Sequence, residues 1–290
     1  MKVMVTGANG FIGKRLCREL ELQHHIVERY DVAQGDLTRP NALDGIHGVD
    51  FVYHLAARTF VPDSWEEPHS FYHNNVMGTV TVLEYCRTHK LPLVVMSTYV
   101  YGNPQYLPVD ERHPLVAQSP YHQSKLVCES LCTFYAQKYD MNIRIIRPFN
   151  VYGLGQSEAF LLPKIVQQVL SSAIAEIEVF DLSPKRDYIY IDDVIDALLL
   201  TQKPWQGLEV FNVGTGVSVN VEDVILTILK CAGSSKKYRA TNIKREAEID
   251  DCYADISNAR NILGFHPRYP LADGITKWLD ELHCQQTEKE

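Results

Sequence analysis

Short, mostly apolar runs at Lys2–Val5, Leu93–Ser97 and Ile143–Arg147 alternate with amphipathic stretches of helical length, and this alternation most narrows what the chain can fold into. A strand apolar along its whole length must be covered on both faces, which a succession of strand, helix and strand achieves. Phe11–Leu22 carries Phe11, Ile12, Leu16, Leu20 and Leu22 near a 3.6-residue period, Ser64–Thr88 puts Val76, Val80, Leu83 and Cys86 on one side, and Tyr121–Lys138 reads as a third helix. With Ile26–Tyr30 and Phe51–His54 as further strands, the first half predicts an α/β fold built on a doubly wound parallel sheet.

After Pro148 the pattern loosens. Tyr152-Gly-Leu-Gly155 breaks the chain, and helices are expected over Leu161–Leu170, Asp192–Leu200, Val219–Cys231 and Leu271–Leu282, with a short one at Ile256–Leu263. Strands are expected at Asp187–Ile191 and Leu208–Asn212. The reading is a first domain over 1–150 and a smaller mixed α/β lobe over 151–290, some of whose strands and helices return to the first domain's core.

The 290 residues can bury a full core, which excludes disorder and a stapled mini-protein. Lys+Arg 28 against Asp+Glu 36 leaves −8, so neither nucleic acid nor an anionic membrane is expected as a partner. A few local arginines can still hold an anionic small molecule. No apolar run approaches the ~18 residues of a membrane span, and with Met1-Lys2 leading straight into a strand no signal peptide is expected. The seven cysteines form no Cys-x-x-Cys pair, as in a reducing, cytoplasmic protein. Cys128 and Cys132, one helical turn apart, lack a second ligand pair, so they are expected in the core and no metal is expected.

Thr6-Gly-Ala-Asn-Gly-Phe-Ile-Gly13 sits between the first strand and the first helix. Gly7 permits a tight turn, Gly10 a close backbone approach to a pyrophosphate on the helix N-terminus, and Gly13 close packing of helix on strand. Asp31, ending the second strand, is placed to accept from adenosine ribose hydroxyls and to repel a 2′-phosphate. This Rossmann-type arrangement predicts NAD rather than NADP, although Arg29, two residues earlier, could accommodate the extra phosphate.

Tyr121 and Lys125 share one helical face. A fixed ammonium and the positive nicotinamide ring would stabilise a phenolate and make the tyrosine a usable base. Ser97 ends a buried strand at the sheet edge where ligands collect, and its hydroxyl could hold a substrate oxygen and relay its proton. His54 reads as a satisfied core residue, His122 as a weak candidate for tuning Tyr121, and Asp192-Asp193 as a helix cap.

With these motifs in order, the chain resembles the extended short-chain dehydrogenase/reductases, in their NAD-dependent epimerase/dehydratase branch. The resemblance also rests on His54-Leu-Ala-Ala57, Asn75-Val-Met-Gly-Thr79, Ser97-Thr-Tyr-Val-Tyr-Gly102, Arg147-Pro-Phe-Asn-Val-Tyr-Gly153 and Arg186-Asp-Tyr-Ile-Tyr-Ile-Asp-Asp193, and runs to about residue 280. It implies a tightly held NAD and a nucleotide-diphosphate sugar under the second lobe. Ser97, Tyr121 and Lys125 would be catalytic, with Tyr121 and Lys125 also touching the cofactor. Asn9, Phe11, Ile12, Leu55, Ala56, Ala57 and Pro148 would line the cofactor with the three glycines, Asn75 would support the cofactor, and Asp36 and Leu37 would flank the adenine. Arg58, Ser97, Thr98, Asn150, Arg186 and Arg245 would meet the substrate, the arginines because guanidinium forks suit phosphate oxygens. The family often pairs as a homodimer through helices like Ser64–Thr88 and Tyr121–Lys138, where Tyr85, Cys86, Tyr135 and Tyr139 stand.

The family's dehydratases follow the catalytic hydroxyl with Asp-Glu. Thr98 and Tyr99 stand here and cannot eliminate water near neutral pH. The reading taken is 4-epimerisation of a UDP-hexose through a transient 4-keto sugar. The alternatives are an NAD(P)H-dependent 4-keto-sugar reductase and a silent dinucleotide sensor.

Overall fold

In the computed structural model, which describes residues 1–243 and 248–287, six parallel strands form the central sheet. They are β1 (Lys2–Thr6), β2 (Ile26–Tyr30), β3 (Phe51–His54), β4 (Leu93–Met96), β5 (Ile143–Pro148) and β9 (Leu208–Val213), in the order β2-β1-β3-β4-β5-β9. Every residue of β3, β4 and β5 is buried, as double coverage demands, whereas β2 is a more exposed edge. The chain runs from β1 outward to β2 and then crosses to β3. The carboxyl ends of β1 and β3 therefore flank the switch point where such sheets bind ligands.

Helices α1 (Phe11–Leu22), α4 (Gly78–His89) and α5 (Pro120–Tyr139) lie where the apolar periods place them. The long helix expected over Ser64–Thr88 is broken instead. It becomes α2 (Val61–Glu66), α3 (Pro68–Tyr72), a π-helical turn at His73–Met77, and α4. The first break has a plain cause: Pro68 has no N–H, and its ring pushes Glu67 out of the helical region to φ −125°, ψ 53°. The π-turn sits at Asn75, whose side chain is buried toward α5.

The second lobe is built on β8 (Lys185–Tyr190), which pairs with β6 (Asn150–Tyr152), β10 (Ser218–Asn220) and β12 (Asp251–Cys252). A separate parallel pair joins β7 (Glu176–Val179) to β11 (Lys237–Ala240). Helices α6 (Leu161–Leu170), α7 (Ile191–Leu200), α8 (Val221–Cys231) and α9 (Leu271–Thr287) cover them. Strand β9 and helix α7 return to the first half, β9 as a sheet strand beside β5 and α7 packed on α1.

Asp192 and Asp193 enter the first turn of α7 but cap nothing. Asp192 pairs with Arg15 at 2.8 Å and Lys277 at 2.7 Å, while Asp193 accepts the amides of Arg268 and Tyr269 at 2.8 and 3.1 Å. Both tie α7 to neighbouring elements, a tertiary use that overrides the local one. Cys128 and Cys132 are buried, and His54 is held between Thr6 at 2.8 Å and Thr79 at 3.1 Å. Among the described residues no helix is long and apolar enough to cross a membrane.

Candidate active site

The glycine turn is fixed by close approaches. Gly7 has φ +70°, and a Cβ on it would stand 2.7 Å from the Ala56 amide nitrogen. A Cβ on Gly13 would meet the Gly7 carbonyl oxygen at 2.0 Å. Gly10 caps α1 without a side chain, and no acid occupies the helix's first turn, so its first amides face outward for an anion. At the end of β2, the Asp31 carboxylate accepts the Asn9 amide at 2.8 Å, which locks the acid against the turn. Arg29 is turned away, paired with Glu21 on α1 at 2.8 Å. A cradle that admits no Cβ, free helix amides and a fixed acid without an adjacent free guanidinium fit a dinucleotide lacking a 2′-phosphate.

From this turn a cavity of about 1000 Å³ runs over the ends of β4 and β5 to the second lobe. Gly7, Gly10, Phe11, Ile12, Gly13, Leu55, Ala57 and Pro148 line its first end. Tyr121, Lys125, Ser97 and Thr98 form the middle, and Asn150 and Arg186 stand at the far end.

Helix α5 places the middle group. Ser119 caps it by accepting the His122 amide at 3.2 Å, which sets Tyr121 and Lys125 in its first two turns on the buried face. Lys125 Nζ donates to the Met96 carbonyl at 2.8 Å. Burial holds the Lys125 ammonium below its ordinary value, with Cys128 and Glu129 opposing. Burial pushes the Tyr121 phenol well up, and a hydrogen bond with Thr98 pulls it back. His122 is lowered to about 4 by burial, so it is neutral at physiological pH.

Several expected site residues stand elsewhere. Ser97 lines the cavity, but its hydroxyl donates to Glu129 at 2.5 Å, and the hydroxyl beside Tyr121 is that of Thr98. Neighbouring residues leaving a strand point to opposite sides, and only one can meet the tyrosine. Arg58 does not line the cavity. Its guanidinium is held by Glu67 at 2.6 Å and Ser70 at 2.5 Å and lies over the Phe71 ring. Asn75 is fully engaged, accepting the Arg58 amide and donating to the Arg58 carbonyl and Ser124, so it braces the wall instead of reaching inward. Asp36 holds Thr38 and Leu37 packs into the core, neither lining the cavity, and Ala56 backs the glycine turn. Arg245 lies outside the described residues.

Arg186 is bound by Glu248 and donates to the Ile249 carbonyl at 2.5 Å. Asn150 bridges the Tyr99 hydroxyl at 3.2 Å and the Asp187 carbonyl at 3.1 Å. Tyr188, two residues after Arg186 on β8, was not singled out in the sequence. It is 6% exposed, lines the cavity, and its hydroxyl has no hydrogen-bond partner among the described residues. The period of two along a strand carried that signal. Phe160, just before α6, and Phe180, just after β7, also line the cavity; no local pattern brings those segments together.

Residues 3–214 match the model of the NAD dependent epimerase/dehydratase family, and the chain belongs to that family. It is 30% identical, over 97% of its length and 98% of the relative's, to UDP-glucose 4-epimerase of Mycolicibacterium smegmatis. It is 28% identical, over 99% and 94%, to GDP-6-deoxy-D-mannose reductase of Pseudomonas aeruginosa. Among solved structures, UDP-glucose-4-epimerase from Stenotrophomonas maltophila with bound NAD and formylated UDP-arabinopyranose superposes with a TM-score of 0.89 at 28% identity, covering 98% of this chain and 99% of that one.

Proposed function

We propose that the protein is an NAD-dependent nucleotide-diphosphate-sugar 4-epimerase acting on a UDP-hexose. The observation that carries the reading is the single cavity that joins the glycine turn, Tyr121 with Lys125, and the polar end formed by Arg186, Asn150 and Tyr188. Its volume stands at the upper end of the ~300–1,000 Å³ usual for small-molecule sites, room for two extended ligands.

Bound NAD supplies a hydride acceptor and donor. The glycine turn, the α1 amides and Asp31 hold it, and the Asp31 carboxylate beside a paired Arg29 supports NAD over NADP. Arg186, with Asn150 and the Tyr188 hydroxyl, unpartnered among the described residues, anchors the diphosphate. Tyr121 takes the C4 hydroxyl proton, Thr98 hydrogen-bonds its phenol, and Lys125 stabilises the phenolate. The 4-keto sugar turns about the fixed diphosphate so that its other face meets the hydride donor, and Tyr121 returns the proton to the C4 oxygen. With UDP-glucose deuterated at C4, the product UDP-galactose keeps the label; loss of label to solvent contradicts the reading.

A 4-keto-sugar reductase is the second reading, favoured by the similarity to the Pseudomonas reductase. Both would use the division into 1–150 and 151–290. We further infer a cytoplasmic homodimer, supported by seven free cysteines and by Phe134 and Tyr139 exposed on α5 and its end.

A further inference from the structure

Beneath the cavity lies a buried ion pair that the mechanism above does not use. Glu129, one turn beyond Lys125 on α5, faces Arg147 of β5, and their side chains are 6% and 4% exposed. Arg147 grips both carboxylate oxygens, Nη2 to Oε2 at 2.6 Å and Nε to Oε1 at 3.0 Å. The same Oε1 accepts the Ser97 hydroxyl at 2.5 Å. Beyond the pair, Arg147 Nη1 donates to the Tyr101 hydroxyl at 2.9 Å, and that hydroxyl donates to Asn212 on β9 at 2.5 Å.

A serine hydroxyl has one proton. A carboxylate forked by a guanidinium can only accept, so the direction of the Ser97 proton is set from below. Ser97 then turns lone pairs alone toward the cavity, while Thr98 stands beside Tyr121. We propose that Glu129 is a positioning residue of this active site: it keeps the Ser97 proton out of the cavity, so that Ser97 presents an acceptor to the sugar and proton traffic at its C4 oxygen runs through Tyr121 and Thr98. The kinetic part rests on the epimerase reading.

Glu129→Gln tests it. The shorter Arg147 contact, 2.6 Å from Nη2 against 3.0 Å from Nε, keeps the amide oxygen, so the Nε contact is lost, the amide nitrogen takes the place beside Ser97 and donates to it, turning the Ser97 proton into the cavity. With UDP-glucose, kcat falls about tenfold or more while KM barely moves. Adding Ser97→Ala to E129Q, which deletes the misdirected proton, costs nothing further. An unchanged kcat in E129Q, or losses that multiply in the double variant, overturns the proposal. If E129Q fails to fold by melting, E129M/R147M, which removes both charges and the acceptor that holds the Ser97 proton, frees that proton to turn into the cavity and carries the same cycle with the same outcomes. A second readout needs no turnover. A short O–H···O⁻ bond puts the hydroxyl proton far downfield, so the wild-type proton spectrum shows a resonance beyond the amides that S97A and E129Q both lack. Its absence overturns the proposal whatever the substrate, whereas a wild-type chain inert on UDP-glucose but showing the resonance overturns the epimerase reading alone.

Discussion

The Lys125 ammonium donates to the Met96 carbonyl at 2.8 Å, so the helix that carries Tyr121 is tied to the last residue of the strand leading into Ser97 and Thr98. One of three ammonium protons is spent on the backbone, and the other two remain for the site. The tie fixes the height at which the phenol meets the cavity.

That geometry gives Tyr121 a pH signature. Burial, the largest cause, holds its phenol above and Lys125 below their ordinary values, so the empty chain keeps a neutral tyrosine near neutral pH. The positive charge of bound oxidised cofactor lowers the phenol, and turnover rises with pH as Tyr121 ionises. Tyr121→Phe lowers kcat by about 10²–10⁴-fold and leaves bound nucleotide in place. Activity assays and nucleotide content measured on the same sample check both parts.

Gly13→Ala is expected to damage cofactor binding from behind. Its Cβ would stand 2.0 Å from the Gly7 carbonyl oxygen and 2.9 Å from the Ala8 Cα, both backbone atoms with nowhere to go. Overpacking of this kind costs about 1–3 kcal/mol. The variant melts lower and purifies with less nucleotide than the wild type.

His54 makes the fold acid-sensitive. Burial lowers it to about 3, and it stays neutral between Thr6 and Thr79. From about pH 6.5 down to about pH 3 the unfolded chain binds the extra proton, so stability rises with pH in that window and falls on acidification. His122, lowered to about 4, adds in the same sense. Melting curves of His54→Gln should show a lower midpoint at neutral pH but a smaller further drop at about pH 5. A drop as large as the wild type's contradicts the assignment.

Arg186→Leu removes the far-end guanidinium. A hydrogen bond to a charged group contributes about 1.5–3 kcal/mol, so KM for the nucleotide sugar should rise roughly tenfold to a hundredfold with kcat little changed. Steady-state kinetics separate the two; a fall in kcat alone would place Arg186 in the chemistry instead of the anchor.

The sheet was legible because β3, β4 and β5 are buried on both faces and so are mostly apolar, His54, Arg144 and Arg147 being the polar exceptions. The break at Glu67–Pro68 was visible in principle, but the π-turn at His73–Met77 was not, since it depends on Asn75 reaching Ser124 across to α5. Local motifs announced the glycine turn and the Tyr121–Lys125 face, each fixed by a few neighbouring residues. The direction of Arg58 was not legible, because Glu67 and Ser70 compete for it only once α2 and α3 have formed. Nor was the choice between Ser97 and Thr98, since Glu129 and Arg147 draw Ser97 down from elements far apart in the chain.

The most direct test denatures the purified protein, identifies the nucleotide it releases, and incubates the native protein with UDP-glucose and UDP-N-acetylglucosamine without added cofactor. The account predicts NAD in the released fraction and conversion of at least one sugar to its galacto epimer. An empty site, with turnover appearing only on a 4-keto sugar supplied with NADPH, would contradict it and make the protein a reductase.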